Sequence, residues 1–281
     1  MTYFVSLRSH SVGGPVIDAT VFSGDGTISP LAVAAVDLSQ IPFLVAGKNV
    51  LFATHGFNVS RESGACSLTR LDTYLQLDDS NIFFGVLWPG DFWLPVVNYP
   101  FEGDVSMDSG RRLAAFCNRY LTNAQSLSFI SHSLGVRLVL EAVKNLNRQA
   151  RSVCLTAAAI NQDCLATEYA AAAQNAATIS ILASHKDMVL KLAFPIGDPI
   201  ADFLHADHTL FERALGYAGP PVPATPPVKS PWQIPDRAGY DHGDYLPSGD
   251  PNQPVTTPAM WNQPADFMSR AFRGQGQSWP P

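Results

Sequence analysis

The stretch that decides the expected fold is Ser126-Leu127-Ser128-Phe129-Ile130-Ser131-His132-Ser133-Leu134-Gly135-Val136-Arg137-Leu138. Residues 126–130 form an apolar run typical of a short buried strand, and the apolar spacing over 136–146 is typical of a helix. Between them, small residues lie two positions before and two positions after Ser133. A strand, a tight turn around a serine and a helix indicate a nucleophile elbow. The alternative is a serine that only caps the helix.

Outward from this stretch, strand-like and helix-like segments alternate along the chain. The strand-like segments are 3–7, 16–22, 49–54, 82–88, 126–130, 152–159 and 178–183. The helix-like segments are 62–77, 109–121, 136–146, an Ala-rich stretch to about 176, 202–215 and 258–272. This alternation predicts an α/β fold with a mostly parallel central sheet flanked by helices. Because no repeat or second unit is evident, we expect a single domain over residues 1–281.

A Pro-rich segment over 219–235 interrupts the pattern. Proline removes a backbone donor, so this segment is expected to be neither helix nor central strand. It is also longer than an ordinary connection inside a compact domain. We therefore predict a cover over a site, followed by a C-terminal helix and tail over about 258–281.

The composition excludes some classes of protein. Charged residues are 15% of the chain, the net charge is −6 and no run of Lys and Arg occurs, which argues against nucleic-acid binding. Neither a signal peptide nor an apolar stretch long enough for a membrane span is found, so a cytoplasmic location is predicted. The four cysteines are scattered in apolar segments, which favours buried free thiols over disulfides.

His55-Gly56-Phe57-Asn58 follows the strand-like segment 49–54. Acyl transfer requires two N–H donors for the developing oxyanion. The amide of Leu134, directly after the serine, is one candidate, and that of Phe57 is the other, because Gly56 permits a sharp turn beside the site. The alternative is a turn that merely ends the strand, with a hydrogen-bonded histidine.

A serine nucleophile of this kind needs an acid and then a histidine later in the chain. Asp187 follows the strand-like segment 178–183 and is the predicted acid. The competing acids are Asp163, Asp241 and Asp244. His242, in a loop after the Pro-rich segment, is the predicted base.

Two further patterns have competing interpretations. His205 and His208 are three residues apart near Asp202 and Asp207, a spacing that is able to hold a metal, although a solvated helix face explains it better. We therefore predict no metal. Trp88, Phe92 and Trp93 follow a buried strand and are candidates for an apolar substrate pocket, with ordinary core packing as the alternative.

Segments 55–60, 88–89, 131–135 and 184–187 together resemble the α/β-hydrolase superfamily, and more narrowly a bacterial branch with an HGFN segment and an (A/S)HS(M/L)G elbow. The resemblance covers roughly residues 45–250. It implies a triad of Ser133, Asp187 and His242, with Phe57 and Leu134 as oxyanion donors and no cofactor. Ser131 departs from the usual glycine, which leaves the mechanism intact but assigns no lipase or esterase subfamily.

The expected activity is that of a carboxylesterase acting on small to medium hydrophobic esters. A lipase, thioesterase or amidase on the same triad, a metal-dependent hydrolase using His205 and His208, and a non-catalytic binding protein of the same fold are the alternatives. The expected partner is a small-molecule ester. The sequence predicts no oligomeric state.

Overall fold

The computed structural model describes residues 1–9, 11–91, 102–192, 213–224, 227–229, 231–253, 259–275 and 278–281. Its strands are β1 Thr2–Arg8, β2 Val16–Asp25, β3 Ala32–Val36, β4 Asn49–Thr54, β5 Asn81–Leu87, β6 Ser126–His132, β7 Ser152–Thr156, β8 Ile179–Ser184, β9 Val228–Lys229 and β10 Gln233–Ile234. Its helices are α1 Ile41–Leu44, α2 Arg61–Leu75, α3 Glu102–Tyr120, α4 Gly135–Lys144, α5 Ala170–Gln174, α6 Met188–Leu192, α7 Leu215–Ala218 and α8 Ala259–Phe272.

In these described ranges, the strands form one ten-stranded sheet in the order β10-β8-β7-β6-β4-β5-β1-β2-β3, with β9 also paired to β8. Pairs from β1 through β5, β4, β6, β7 and β8 to β10 are parallel, whereas β2 and β3 are antiparallel additions at one edge. The predicted α/β fold with a mostly parallel sheet is confirmed. The sequence pattern did not predict β3, because its short Ala-rich run is largely exposed and lacks a buried stripe.

Helices cover both faces of the sheet, and alternate residues of the central strands point to opposite faces. On one face, Phe52 of β4 lies in a core cluster with residues of α3 and α4. Its ring stacks between Phe84 and Phe129, with centroids 5.5 and 5.4 Å away. On the other face, Leu51 lies in a cluster with residues of α2 and α8. Strands buried on both faces explain the continuous apolar runs in the sequence.

The Pro-rich segment extends the sheet where the sequence predicted a cover. Within its described part, β9 pairs in parallel with Ile179 and Ser180 of β8, and β10 pairs with Ala183 and Ser184. Both strands are only two residues long and lie at the sheet edge, where proline is tolerated. From β9 to β10 the segment therefore runs alongside β8, from the start of that strand to the carboxyl edge of the sheet.

Two predictions from composition bear on the described residues. All four cysteines, Cys66, Cys117, Cys154 and Cys164, are buried and free, as predicted. In the part of the chain that the structure describes, no helix has both the length and the apolar character needed to cross a bilayer.

Candidate active site

Ser133 lies in a strained turn between β6 and α4. Its φ angle is 54°, in the left-handed region that is unfavourable for residues with a side chain. The Ser133 amide donates to the carbonyl of Thr156 at 3.1 Å, and the Ser133 carbonyl accepts from Val136 at 3.1 Å. This backbone conformation is the one that lifts a nucleophile clear of the sheet in an elbow.

Two different contacts explain why the residues two positions before and two positions after Ser133 are small. A Cβ atom at Gly135 would lie 2.5 Å from the His55 carbonyl oxygen, because α4 begins directly against the end of β4. Ser131 is completely buried, and its carbonyl accepts from the Thr156 hydroxyl at 2.8 Å. The structure therefore accommodates serine at the first small position and leaves no room for a side chain at the second.

Ser133, His242 and Asp187 come together at the carboxyl edge of the sheet. The Oγ of Ser133 is 2.9 Å from Nε2 of His242. The Nδ1 of the same imidazole is 2.8 Å from Oδ2 of Asp187. The Asp187 side chain is fully buried, whereas the His242 side chain is 17% exposed. The three groups thus form one continuous chain of hydrogen bonds from a buried carboxylate to the serine hydroxyl.

Asp187 is held in place by the helix that follows it. Its Oδ1 accepts a hydrogen bond from the amide of Leu190 at 2.9 Å, so the carboxylate caps α6. Its other oxygen, Oδ2, accepts from His242. A buried carboxylate is stable only when such bonds replace its hydration, and here each oxygen has a partner.

The competing acids have other partners. Asp241 Oδ1 accepts from the amides of Met188 at 2.9 Å and His242 at 2.8 Å. Asp244 Oδ2 accepts from the amide of Asp241 at 2.8 Å. Asp163 lines a separate cavity beside Pro220 and Pro221. Asp241 and Asp244 therefore order the backbone around the histidine.

The two predicted oxyanion donors belong to the two segments that adjoin Ser133, the start of α4 and the HGFN turn. The amide of Leu134 is at the start of α4, and no acceptor within the described residues takes a hydrogen bond from it. Phe57 follows Gly56, where an added Cβ would be 2.9 Å from the Ser133 Cβ. The next residue, Asn58, has a φ of 55° and donates from its amide to Gly90 at 2.6 Å. Gly56 is required here by the close approach of this turn to the serine.

His55 supports this turn from the core. Its Nδ1 donates to the Gly56 carbonyl at 2.8 Å, and its Nε2 accepts from the amide of Trp88 at 3.4 Å. Burial lowers the pKa of His55 to about 4, so the ring is neutral. The histidine of the HGFN segment therefore has a structural task.

The position of Trp88 differs from the prediction that it lines an aromatic pocket. Its side chain is fully buried, its ring stacks on His55 at 5.7 Å, and its Nε1 donates to the His55 carbonyl at 3.0 Å. It therefore lies in the core behind the turn instead of lining a pocket. Phe92, Trp93, His205 and His208 lie outside the described residues.

His132, directly before Ser133, contacts the proposed base, a role that the sequence analysis did not predict. Its Nε2 donates to the carbonyl of His242 at 2.8 Å, and the two rings are 5.0 Å apart. Burial lowers the pKa of His132 to about 3, so the ring stays neutral. The only sequence signal was its position directly before the nucleophile.

A buried ion pair beneath the HGFN turn was also missed. Arg8 Nη2 lies 2.5 Å from Asp91 Oδ2, and both side chains are largely buried. The Nη1 of Arg8 lies 3.5 Å from the Val59 carbonyl, which makes a long contact with the end of the turn. An arginine at the end of β1 and an aspartate after β5 give no pairing signal in the sequence, because these strands are far apart along the chain.

Comparison with known proteins gives one family. A family model described as an alpha/beta hydrolase of unknown function (DUF900) matches residues 41–201, a stretch that includes Ser133 and Asp187. His242 lies beyond the matched stretch. A search of curated proteins finds no significant match. With more than half of its length matched and a mostly parallel α/β sheet, the chain belongs to this alpha/beta-hydrolase family.

Proposed function

We propose that the chain is a serine hydrolase that cleaves carboxylic esters through an acyl-enzyme. The observation that carries this proposal is the hydrogen-bonded chain Ser133–His242–Asp187, with contacts of 2.9 and 2.8 Å. The Asp187 carboxylate accepts only from a protonated Nδ1, which leaves Nε2 of His242 as the acceptor for the serine proton. This is the arrangement that a general base requires.

In the first half of the reaction, Ser133 Oγ attacks the ester carbonyl while its proton moves to His242 Nε2. The carbonyl oxygen becomes an oxyanion, for which the amides of Leu134 and Phe57 are the proposed donors. Collapse of the tetrahedral intermediate breaks the bond to the alcohol oxygen. That oxygen takes the proton from His242, and the acyl group remains on Ser133.

In the second half, a water molecule replaces the alcohol. His242 removes a proton from the water as it attacks the acyl-enzyme carbonyl, and the same donors stabilise the second oxyanion. Ser133 regains its proton from His242 when the carboxylic acid leaves. Ester and water are thereby converted to acid and alcohol without a redox step.

Hydrolysis of a p-nitrophenyl ester series by the wild type and Ser133→Ala tests this proposal. We expect the substitution to lower kcat by about 10⁴-fold or more, because the nucleophile is lost. A fluorophosphonate should label the wild type at Ser133 and leave the variant unlabelled. Ser39→Ala, which alters an exposed serine after β3, is the matched control and should retain activity. Activity that survives in Ser133→Ala would contradict the proposal, and a folded wild type that neither hydrolyses nor labels would favour a binding protein.

A further inference from the structure

We propose that Trp88 and His55 are positioning residues for the oxyanion site. Together they orient the peptide bond between Gly56 and Phe57, whose N–H is one of the two proposed oxyanion donors. Both side chains are buried behind the HGFN turn. This inference rests on the proposed ester hydrolysis and adds two residues outside the triad on which its rate depends.

The tautomer of His55 is fixed by its two partners. Nε2 lies 3.4 Å from the amide nitrogen of Trp88, which is able only to donate, so Nε2 is an acceptor. Nδ1 lies 2.8 Å from the carbonyl oxygen of Gly56, which is able only to accept, so Nδ1 carries the proton. Burial lowers the pKa of His55 to about 4, which keeps the ring neutral near neutral pH. The imidazole therefore links the residue after β5 to the HGFN turn.

The hydrogen bond to the Gly56 carbonyl also sets the direction of the Phe57 N–H. A trans peptide bond is planar, and its carbonyl and its N–H point in opposite directions. Because the Gly56 carbonyl is held on the His55 ring, the Phe57 N–H points away from that ring. The same peptide lies beside the nucleophile, since a Cβ at Gly56 would be 2.9 Å from the Ser133 Cβ. Rotation of this peptide plane would therefore misalign the proposed donor.

Trp88 holds His55 through a second contact. Its indole Nε1 donates to the His55 carbonyl at 3.0 Å, and its ring stacks on the imidazole with the centroids 5.7 Å apart. The neighbouring backbone also leaves little room for His55 to move. A Cβ at Gly64 would lie 2.9 Å from His55 Cδ2, and a Cβ at Gly135 would lie 2.5 Å from the His55 carbonyl oxygen. The ring and the backbone of His55 are thereby confined together.

The other side of Phe57 is anchored to the same segment. The Asn58 amide donates to the Gly90 carbonyl at 2.6 Å. Asn58 has a φ of 55°, a conformation that is unfavourable for a residue with a side chain and persists only where surrounding contacts impose it. Residues 88–90 therefore hold the turn both before and after Phe57. Two such anchors fix the position of the proposed donor as well as its direction.

Kinetics on p-nitrophenyl acetate with Trp88→Phe, His55→Leu and His55→Asn test the proposal. Phenylalanine keeps a stacked ring but lacks the Nε1 donor, and kcat should fall by about 10-fold. Leucine removes the donor to the Gly56 carbonyl, and kcat should fall by about 100-fold, as when an oxyanion donor is lost. Asparagine is able to donate to the same carbonyl and should recover most of that loss. KM should stay close to its wild-type value, because an interaction made only in the transition state is weakened.

A smaller folded fraction would also lower the apparent kcat. Each rate is therefore divided by the amount of Ser133 that a fluorophosphonate labels at completion. Destabilisation lowers this amount, whereas a misaligned donor lowers the rate per labelled site. Ile82→Val, at a buried position near the opposite end of β5, is the control. It should lower stability and leave the normalised kcat unchanged.

The outcomes separate the positioning role from the proposed hydrolysis. If hydrolysis is absent from the wild type or persists in Ser133→Ala, both proposals are overturned. If hydrolysis depends on Ser133 but Trp88→Phe or His55→Leu keeps the wild-type normalised kcat, only the positioning role is overturned. Equal losses in His55→Leu and His55→Asn, or a rise in KM at unchanged kcat, overturn it as well. If His55→Leu does not fold, the normalised kcat of Trp88→Phe decides alone.

Discussion

The imidazole of His132 donates a hydrogen bond from Nε2 to the carbonyl oxygen of His242, at 2.8 Å. The residue next to the proposed nucleophile thus holds the backbone of the proposed base. The Asp187 carboxylate holds the side chain of His242 through a hydrogen bond to Nδ1 of its imidazole. The distance between Ser133 and His242 therefore depends on a contact outside the triad.

We expect His132→Phe to lower kcat by about 10- to 100-fold, because a misplaced catalytic group loses rate steeply with distance. Phenylalanine retains the ring contact but lacks the donor. His132→Gln, whose amide nitrogen is able to replace Nε2, should recover most of the activity. The rate of fluorophosphonate labelling at Ser133 should follow kcat, with KM little changed. Equal activity in the Phe and Gln variants would show that the hydrogen bond has no positioning role.

Asp187→Asn should lower kcat by about 10⁴-fold, since an amide that donates to Nδ1 forces the unproductive tautomer of His242. Asp241→Asn is the matched control, because asparagine keeps an acceptor oxygen for the amides of Met188 and His242. It should retain activity within about 10-fold. Steady-state kinetics on p-nitrophenyl acetate measure both. A larger loss in Asp241→Asn than in Asp187→Asn would show that Asp187 is not the acid.

Stability should fall on mild acidification, because burial lowers the pKa of His55 from its ordinary value of 6.5 to about 4. The unfolded chain binds a proton at this histidine below about pH 6.5, whereas the folded chain does not until about pH 4. The contribution is therefore present above pH 6.5 and is lost as the pH falls. His132, with its pKa lowered to about 3, acts in the same direction.

His55→Asn tests this dependence, since the asparagine amide is able to donate to the Gly56 carbonyl as Nδ1 of His55 does. The free energy of unfolding, measured in urea between pH 7 and pH 5, should fall less steeply in the variant. The difference in slope should approach about 1.4 kcal/mol per pH unit, the value for one proton. Identical slopes would mean that His55 is protonated alike in both states.

Arg8→Met should destabilise the fold by about 3 kcal/mol or more, because it leaves the buried Asp91 carboxylate without its partner. Arg112→Met is the comparison: Arg112 pairs with Asp18, whose side chain is almost fully exposed, and such pairs contribute about 1 kcal/mol or less. Urea denaturation of both variants measures the difference. A loss in Arg8→Met no greater than in Arg112→Met would show that the buried pair adds little.

The features that the sequence predicted best are those with a local pattern. The elbow around Ser133 combines a buried strand, small flanking residues and an amphipathic helix, all within one short stretch. The mostly parallel sheet follows from the alternation of such segments. Asp187 was chosen from its position after a predicted strand, and His242 from chain order and its loop after the Pro-rich segment. The structure brings both into one hydrogen-bonded chain with Ser133.

The features that the sequence did not predict depend on contacts between distant segments. His132 and the His242 carbonyl are 110 residues apart, and Arg8 and Asp91 are 83 residues apart, so no periodicity reports their pairing. Trp88 is of a residue type that often lines pockets. Only the packing of its ring on His55 shows that it belongs to the core. Two dipeptides of the Pro-rich segment, β9 and β10, pair with β8, because tertiary pairing outweighed their weak local preference.

The parallel pairing of β8 with β10 has an evolutionary consequence. Asp187 follows β8 and His242 follows β10, so the register of Ala183 with Gln233 and Ser184 with Ile234 sets the spacing between the two loops. The intervening chain joins two ends that the sheet already holds side by side, and added loop length costs little free energy. Insertions and deletions there are therefore compatible with an unchanged acid–base pair. We expect this connection to vary in length among relatives while Asp187 and His242 stay in contact.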